Sequence, residues 1–216
     1  NPSLDEMLKY AKDKKGLLKN ADFIDVANYV STSDEKVMDF NEMIKKNNGA
    51  EVLTLIKADI DELGLIMSTG LTGDKDANLQ DYTAISRTTT LSNHLKYFFS
   101  LFINGFLEQW DNSGKNKSDE KNDQYVYTIF AGGDDLMLIT PQSSSLKLLN
   151  ELNKKFKDFV CDNPEVHISY SLTNFKDNTP IRIVADIAEE NQKKIKKFFA
   201  NKKRNSFIEE NNKSGV

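Results

Sequence analysis

Gly132-Gly133-Asp134-Asp135 lies between two short runs of strand-forming residues, 125–130 and 136–139, and this arrangement constrains the fold of the chain more than any other feature. A glycine pair at a reversal between Tyr-Val-Tyr-Thr-Ile-Phe and Leu-Met-Leu-Ile predicts two antiparallel strands joined by a tight turn. Both aspartates are then displayed at one rim of the sheet that the hairpin joins. In a chain of 216 residues, Gly-Gly-Asp-Asp would arise by chance at odds of roughly 1 in 300. A glycine turn with two merely solvated aspartates is therefore the weaker reading.

The flanking segments supply the rest of a sheet. Residues 52–58 are almost continuously apolar, which predicts a central strand covered on both faces and ending in Asp59-Ile60-Asp61. Residues 63–67 have the form of a short helix, and 70–81 of a polar loop. From Ile85, apolar residues at Leu91, Leu95, Phe98, Phe99, Phe102 and Phe106 recur at helical spacing to about Trp110, predicting one long core-facing helix. Residues 111–124 contain no aliphatic side chain and are expected as a mobile surface loop. A helix is expected over about 145–160, a fourth strand over 166–172, and a last helix from Pro180 through Phe199. Upstream, Ser3-Leu4-Asp5-Glu6 and Asp39-Phe40-Asn41-Glu42 read as helix starts. Residues 1–49 are thus expected as a helical lead-in, 50–200 as the main domain and 201–216 as a basic polar tail.

Strand, helix, hairpin, helix, strand is the βαββαβ order of a ferredoxin-like α+β fold. A right-handed crossover leaves a gap between the first two strands that the third fills, antiparallel to both. The start of the third strand then lies beside the end of the first. Asp59, Asp134 and Asp135 are predicted to converge there, although about 75 residues of sequence separate the first from the others.

Carboxylates in that arrangement suit metal-assisted attack of a hydroxyl on a nucleotide phosphorus, for which two Mg²⁺ ions roughly 3.5–4 Å apart serve. Mg²⁺ takes hard oxygen ligands and keeps several waters, so two or three carboxylates suffice. Asp59, Asp134 and Asp135 are the candidate metal ligands and catalytic residues. Asp61 is expected on the opposite face and ranks behind Asp59. Candidate nucleotide contacts are Ile60, Leu63 and Gly64 around the start of the short helix, Gly132 and Gly133 at the turn, Ser86 and Thr90 on the long helix, and Lys203 in the tail. For Ser86 and Thr90, ordinary helix-start polarity is the competing reading. For the lysines between 193 and 203 it is a solvated helix face. His94 reads as a packing residue and His167 as a solvent-facing strand residue. One cysteine and two isolated histidines provide neither a disulfide nor a zinc site. A net charge of -4 argues against wrapping nucleic acid through bulk positive potential. The longest apolar stretches fall short of the roughly 20 residues of a spanning helix, and no signal segment opens the chain, so no membrane partner is expected and the default location is cytoplasmic.

Three segments together carry a resemblance: Lys57-Ala58-Asp59-Ile60-Asp61-Glu62-Leu63-Gly64, then Ser86-Arg87 with Thr90-Leu91-Ser92, then Ala131-Gly132-Gly133-Asp134-Asp135-Leu136. With Lys203-Arg204-Asn205-Ser206 they resemble the second palm domain, the GGDD cyclase domain, of the large subunit of type III CRISPR effector complexes, closest to the Csm type, over about residues 38–205. The resemblance implies conversion of ATP to cyclic oligoadenylates when target RNA is held, with Asp134 and Asp135 binding Mg²⁺ or Mn²⁺. It also implies a second palm domain, other effector subunits and crRNA as partners. Counterparts of that family's HD nuclease domain and cysteine-bearing zinc segment are absent, so the chain is expected to be a fragment holding half of a site. Two alternatives stand beside this reading. One is a diguanylate cyclase, against which Leu136 replaces the aromatic residue of a GGDEF turn; the other is a non-catalytic palm that scaffolds RNA and protein subunits.

Overall fold

The apolar run after Val52 forms the strand around which the other elements are arranged. The computed structural model describes residues 27–47, 49–70, 84–115 and 124–213. Its strands are β1 Thr32–Ser33, β2 Lys36–Val37, β3 Leu53–Ile60, β4 Tyr127–Gly132, β5 Asp135–Pro141 and β6 Ile168–Phe175. Its helices are α1 Phe40–Lys46, α2 Leu63–Thr69, α3 Ile85–Tyr97, α4 Ile103–Lys115, α5 Gln142–Phe159 and α6 Ile181–Lys213, with a π-helical turn Phe98–Phe102 joining α3 to α4. The helix start expected at Ser3-Leu4-Asp5-Glu6 and the loop expected over 71–81 lie outside the described residues.

β3 pairs antiparallel with β5 on one side and β6 on the other, and β4 completes the sheet in the order β4-β5-β3-β6. This is the expected ferredoxin-like order, with the hairpin's second strand inserted beside the first strand. Side chains alternate across the sheet, and β3 buries both sets. Ile56, Ala58 and Ile60 join Leu136 and Leu138 of β5 under Leu95, Phe98, Phe99, Ile103 and Leu107 of the long helix and Leu148, Leu152 and Phe156 of α5. On the other face Leu53, Leu55, Ile139 and Phe175 meet Met43 and Ile44 of α1 and Val184 and Ala188 of α6. The helix-side core is strongly aromatic. Phe98 stacks on Phe102 at 5.1 Å and meets Phe99, Phe156 and Phe159 at 4.7–5.3 Å between ring centroids.

Residues 27–47 pack against this sheet. Asp39 caps α1, its carboxylate accepting from Glu42 N at 2.7 Å. Residues 27–31 run beside β4 through Thr128 N to Tyr29 O at 3.1 Å and Ala27 N to Ala131 O at 3.2 Å. That backbone pairing covers an edge that would otherwise be open, next to a bulge at Ile129 between Thr128 and Phe130.

Three expectations are corrected. The loop expected from residue 111 instead continues α4 to Lys115, and Asp111 and Gln124 are buried; residues 116–123 lie outside the described set. Their polarity is matched internally: Tyr29 Oη donates to Asp111 Oδ2 at 2.7 Å, and Gln124 Nε2 donates to Ser113 Oγ at 3.1 Å. Burial, then the Asp111 hydrogen bond and charge, hold the Tyr29 hydroxyl well above its ordinary pKa. The last helix does not stop at Phe199 but reaches Lys213. Residues 200–213 contain neither proline nor glycine and are rich in Lys, Arg and Glu, which sustain a helix. His94 is exposed rather than packed, and His167 is exposed as expected. No helix among the described residues is long and apolar enough to cross a membrane.

Because Phe98 is 1% exposed and touches four other rings, Phe98→Ala is expected to destabilise the fold by about 3–5 kcal/mol. Urea denaturation should show this as a lowered midpoint with an unchanged slope.

Candidate metal and nucleotide site

The strand pairing fixes the carboxylates. β3 and β5 pair from Leu53 opposite Pro141 to Asp59 opposite Asp135. Asp59 and Asp135 are thus direct cross-strand neighbours with side chains on one face, that of α6. Gly132 pairs with Asp135, leaving Gly133 and Asp134 as a two-residue loop. Gly133 has φ +66°, as the first loop position of a type II′ hairpin requires. A β-carbon there would meet nothing within 4 Å, so glycine is needed for its backbone angle rather than for space. Gly132 lies in the strand itself and has no positive φ.

Like charges opposed across a ladder repel, and the repulsion is visible at Asp135. Its carboxyl is raised above the ordinary aspartate pKa by partial burial first, then by Asp59, with Asp134 adding to the effect; Lys57 and Lys196 act the other way. Lys196 of α6 reaches over the sheet, its Nζ donating to Asp59 Oδ2 and lying 3.9 Å from Asp61 Oδ1. Asp61 therefore does not face away from Asp59: residues two apart in an extended segment share a face. Ser169 Oγ, opposite Asp59 in the β3–β6 ladder, donates to the Asp61 carboxylate, 2.7 Å from each oxygen. Among the described residues no three His, Cys, Asp or Glu side chains gather into a metal cage. The donor set of Asp59, Asp135 and the adjoining Asp134 nevertheless fits a hard divalent cation, since Mg²⁺ needs few protein oxygens and completes its shell with water and phosphate.

The other candidates are placed less uniformly. Ile60 is 2% exposed and belongs to the helix-side core, so only its backbone is available to a nucleotide. Leu63 packs partly on the same core, while Gly64 is exposed with open space around it. They start α2, where the N–H groups of Leu65 and Ile66 turn back to Glu62 O at 2.8 and 3.0 Å; those of Leu63 and Gly64 stand at the helix start, without an acceptor in the helix. Glu62 itself has φ 53°, an uncommon conformation for a side-chain-bearing residue. Ser86 and Thr90 are exposed on α3, and Thr90 Oγ1 donates to Ser86 O at 2.8 Å, the ordinary helix role. Lys203 belongs to α6, and its side chain lies outside the described residues. Lys196, assigned from sequence to a solvated helix face, and Asp61, ranked behind Asp59, are the residues that sequence reasoning undervalued. The usable signal was the spacing Val184, Ala188, Gln192, Lys196, which continues the buried stripe of α6.

Residues 52–208 match the family described as Cas10/Cmr2, second palm domain. The CRISPR system single-strand-specific deoxyribonuclease Cas10/Csm1 (subtype III-A) of Methanocaldococcus jannaschii is 28% identical over 163 residues, 73% of this chain and 19% of that protein. Its counterpart in Streptococcus thermophilus is 28% identical over 137 residues, 63% of this chain and 16% of that protein. The chain thus spans less than a fifth of the length of these relatives. A Csm1–Csm4 cassette in complex with AMPPNP superposes with a TM-score of 0.63 at 23% identity, over 80% of this chain and 23% of the solved one. Csm1 from T. onnurineus gives 0.60 at 23% identity, over 78% and 23%. These two likenesses establish the shared fold.

Asp135 carries a raised pKa, so its contribution favours the fold below the carboxylate range and is lost as pH rises through the shifted value. Asp135→Asn is expected to raise Tm in EDTA at pH 7 by about 2 °C, the scale of a screened, part-exposed repulsion. The difference from the wild type should shrink towards zero as the pH falls below the carboxylate range, where both side chains are neutral. Scanning calorimetry across pH 3–7 checks it.

Proposed function

The chain belongs to the Cas10/Cmr2 second palm domain family, and from that premise we propose that it is a nucleotidyl transferase that links ATP into cyclic oligoadenylates within a type III CRISPR effector complex. The observation that carries the reading is the register of Asp59 opposite Asp135 at the mouth of the Gly133-Asp134 turn. Relatives of the same fold support the choice of nucleotide: Csm1–Csm4 cassettes have been solved in complex with AMPPNP, pppApApA and cA4.

In the proposed reaction a 3′-hydroxyl attacks the α-phosphorus of a second ATP, a phosphodiester forms, and pyrophosphate leaves. Divalent ions, when bound, lower the basicity of the hydroxyl and neutralise the triphosphate. Asp59 and Asp135 supply facing carboxylate oxygens, and Asp134 a third from the turn. The positive φ of Gly133 forms the tight turn that presents Asp134 and Asp135 together at the rim. In this reading the Leu63 and Gly64 N–H groups at the start of α2, which have no acceptor within the helix, would hold a terminal phosphate oxygen. Ser86, Thr90 and Lys203 remain candidate ribose, base or phosphate contacts.

In this reading the chain holds half of the site. A second palm domain, crRNA, target RNA and other effector subunits complete it, in keeping with the solved cassettes that pair Csm1 with Csm4. In the assembled complex with ATP, Mg²⁺ and target RNA, Asp59→Ala and the double change Asp134→Ala, Asp135→Ala are each expected to cut cyclic product by more than about a hundredfold. Chromatography of the products reads this out. An undiminished yield from the double variant sinks the proposal.

A further inference from the structure

α6 is laid on the sheet by a stripe of one residue per turn. Val184 and Ala188 are in the core, Ser171 Oγ donates to Ala188 O at 2.9 Å, and Gln192 is buried. The next position of that stripe is Lys196. Its side chain is 34% exposed, against 67% for Lys193 and 73% for Lys194 on the outer face. The stem follows the core-facing line, and the ammonium is delivered to the last two acidic residues along β3. Charge is matched along the whole contact: Glu189 sits 3.8 Å from Lys57, and two helical turns on, Lys196 meets Asp59 and Asp61.

We propose that Lys196 is a tethered counter-ion occupying the metal's place on Asp59, so that a divalent cation binds only by displacing it. The inference rests on the reading of Asp59 as a metal ligand. An ammonium and a metal cannot share the same carboxylate lone pairs at close range, because two cations at that distance repel. Lys196 therefore relieves the Asp59–Asp135 repulsion in the metal-free chain and lowers apparent metal affinity by the strength of its ion pair. Once displaced, its ammonium is tethered beside the site, two turns beyond Glu189.

The test titrates the full chain with Mn²⁺ alone, without nucleotide, by calorimetry. Lys196→Met keeps the aliphatic stem and removes the charge; Lys196→Gln serves if the first variant fails to fold by circular dichroism. Affinity should tighten roughly fivefold, the scale of a part-exposed ion pair. Lys193→Met, which removes the same charge from the exposed face, should stay within twofold of wild type. In an Asp59→Asn background, Lys196→Met should change the residual affinity by less than twofold, since the competed oxygen is gone. In EDTA the Lys196→Met melting temperature should fall slightly, while its gain on adding Mn²⁺ should exceed that of wild type. Unchanged or weakened Mn²⁺ binding by Lys196→Met overturns the proposal while leaving the metal reading intact. An equal gain in the Asp59→Asn background also overturns it, because the effect would then be general electrostatics. Absence of Mn²⁺ binding in both wild type and Lys196→Met overturns the metal reading together with this one; binding that emerges only in Lys196→Met supports both.

Discussion

Asp59 and Asp135 face each other across the β3–β5 ladder, and much of the molecule can be understood as the means of keeping two like charges in register. An exposed pair of strands would slip or splay to separate them. Here the ladder is anchored along its length by side chains that leave no freedom to shift: Ile56, Ala58 and Leu138 are fully buried and Leu136 nearly so. A slip of one residue would turn that whole set to the opposite face. The aromatic cluster around Phe98 and the long helix therefore act on the carboxylate pair at a distance, by fixing which residues of β3 and β5 stand opposite one another.

The two faces of the sheet divide the work. The helix-side face is a conventional core, whereas the opposite face is apolar only at the end away from the turn, where α1 and α6 cover Leu53, Leu55 and Ile139. Towards the turn the same face becomes charged. It carries Lys57, Asp59, Asp61 and Asp135, together with Ser169 and the ammonium of Lys196. Placing ionisable groups beside a packed core lowers the dielectric around them and strengthens each interaction; Asp135 is raised first by this partial burial and then by the charge of Asp59. Like charges gathered this way repel, and α6 supplies a compensating cation, Lys196, from the chain itself.

Much of this was legible in the sequence because it follows from periodicity and strand order. The glycine hairpin, the doubly buried first strand and the α+β order were sufficient to bring Asp59 beside Asp135. What was not legible depended on side chains meeting across elements. Lys196 sits in a run of lysines whose average member is solvated, and only its phase on the helix separates it from Lys193 and Lys194. Asp61 was set aside on a wrong parity, since residues 59 and 61 of an extended segment share a face. The polar stretch after Trp110 looked like a loop because burial of Asp111 and Gln124 depends on partners elsewhere, Tyr29 among them. The length of α6 was underestimated because polarity alone was taken as the end of a helix, although nothing in residues 200–213 breaks one.

Anomalous diffraction from Mn²⁺-soaked crystals addresses the central claim most directly. The account predicts a manganese peak bonded to carboxylate oxygens of both Asp59 and Asp135, with Lys196 Nζ moved away from Asp59. A peak elsewhere on the chain, or Lys196 still paired with Asp59 in a metal-loaded crystal, would contradict it.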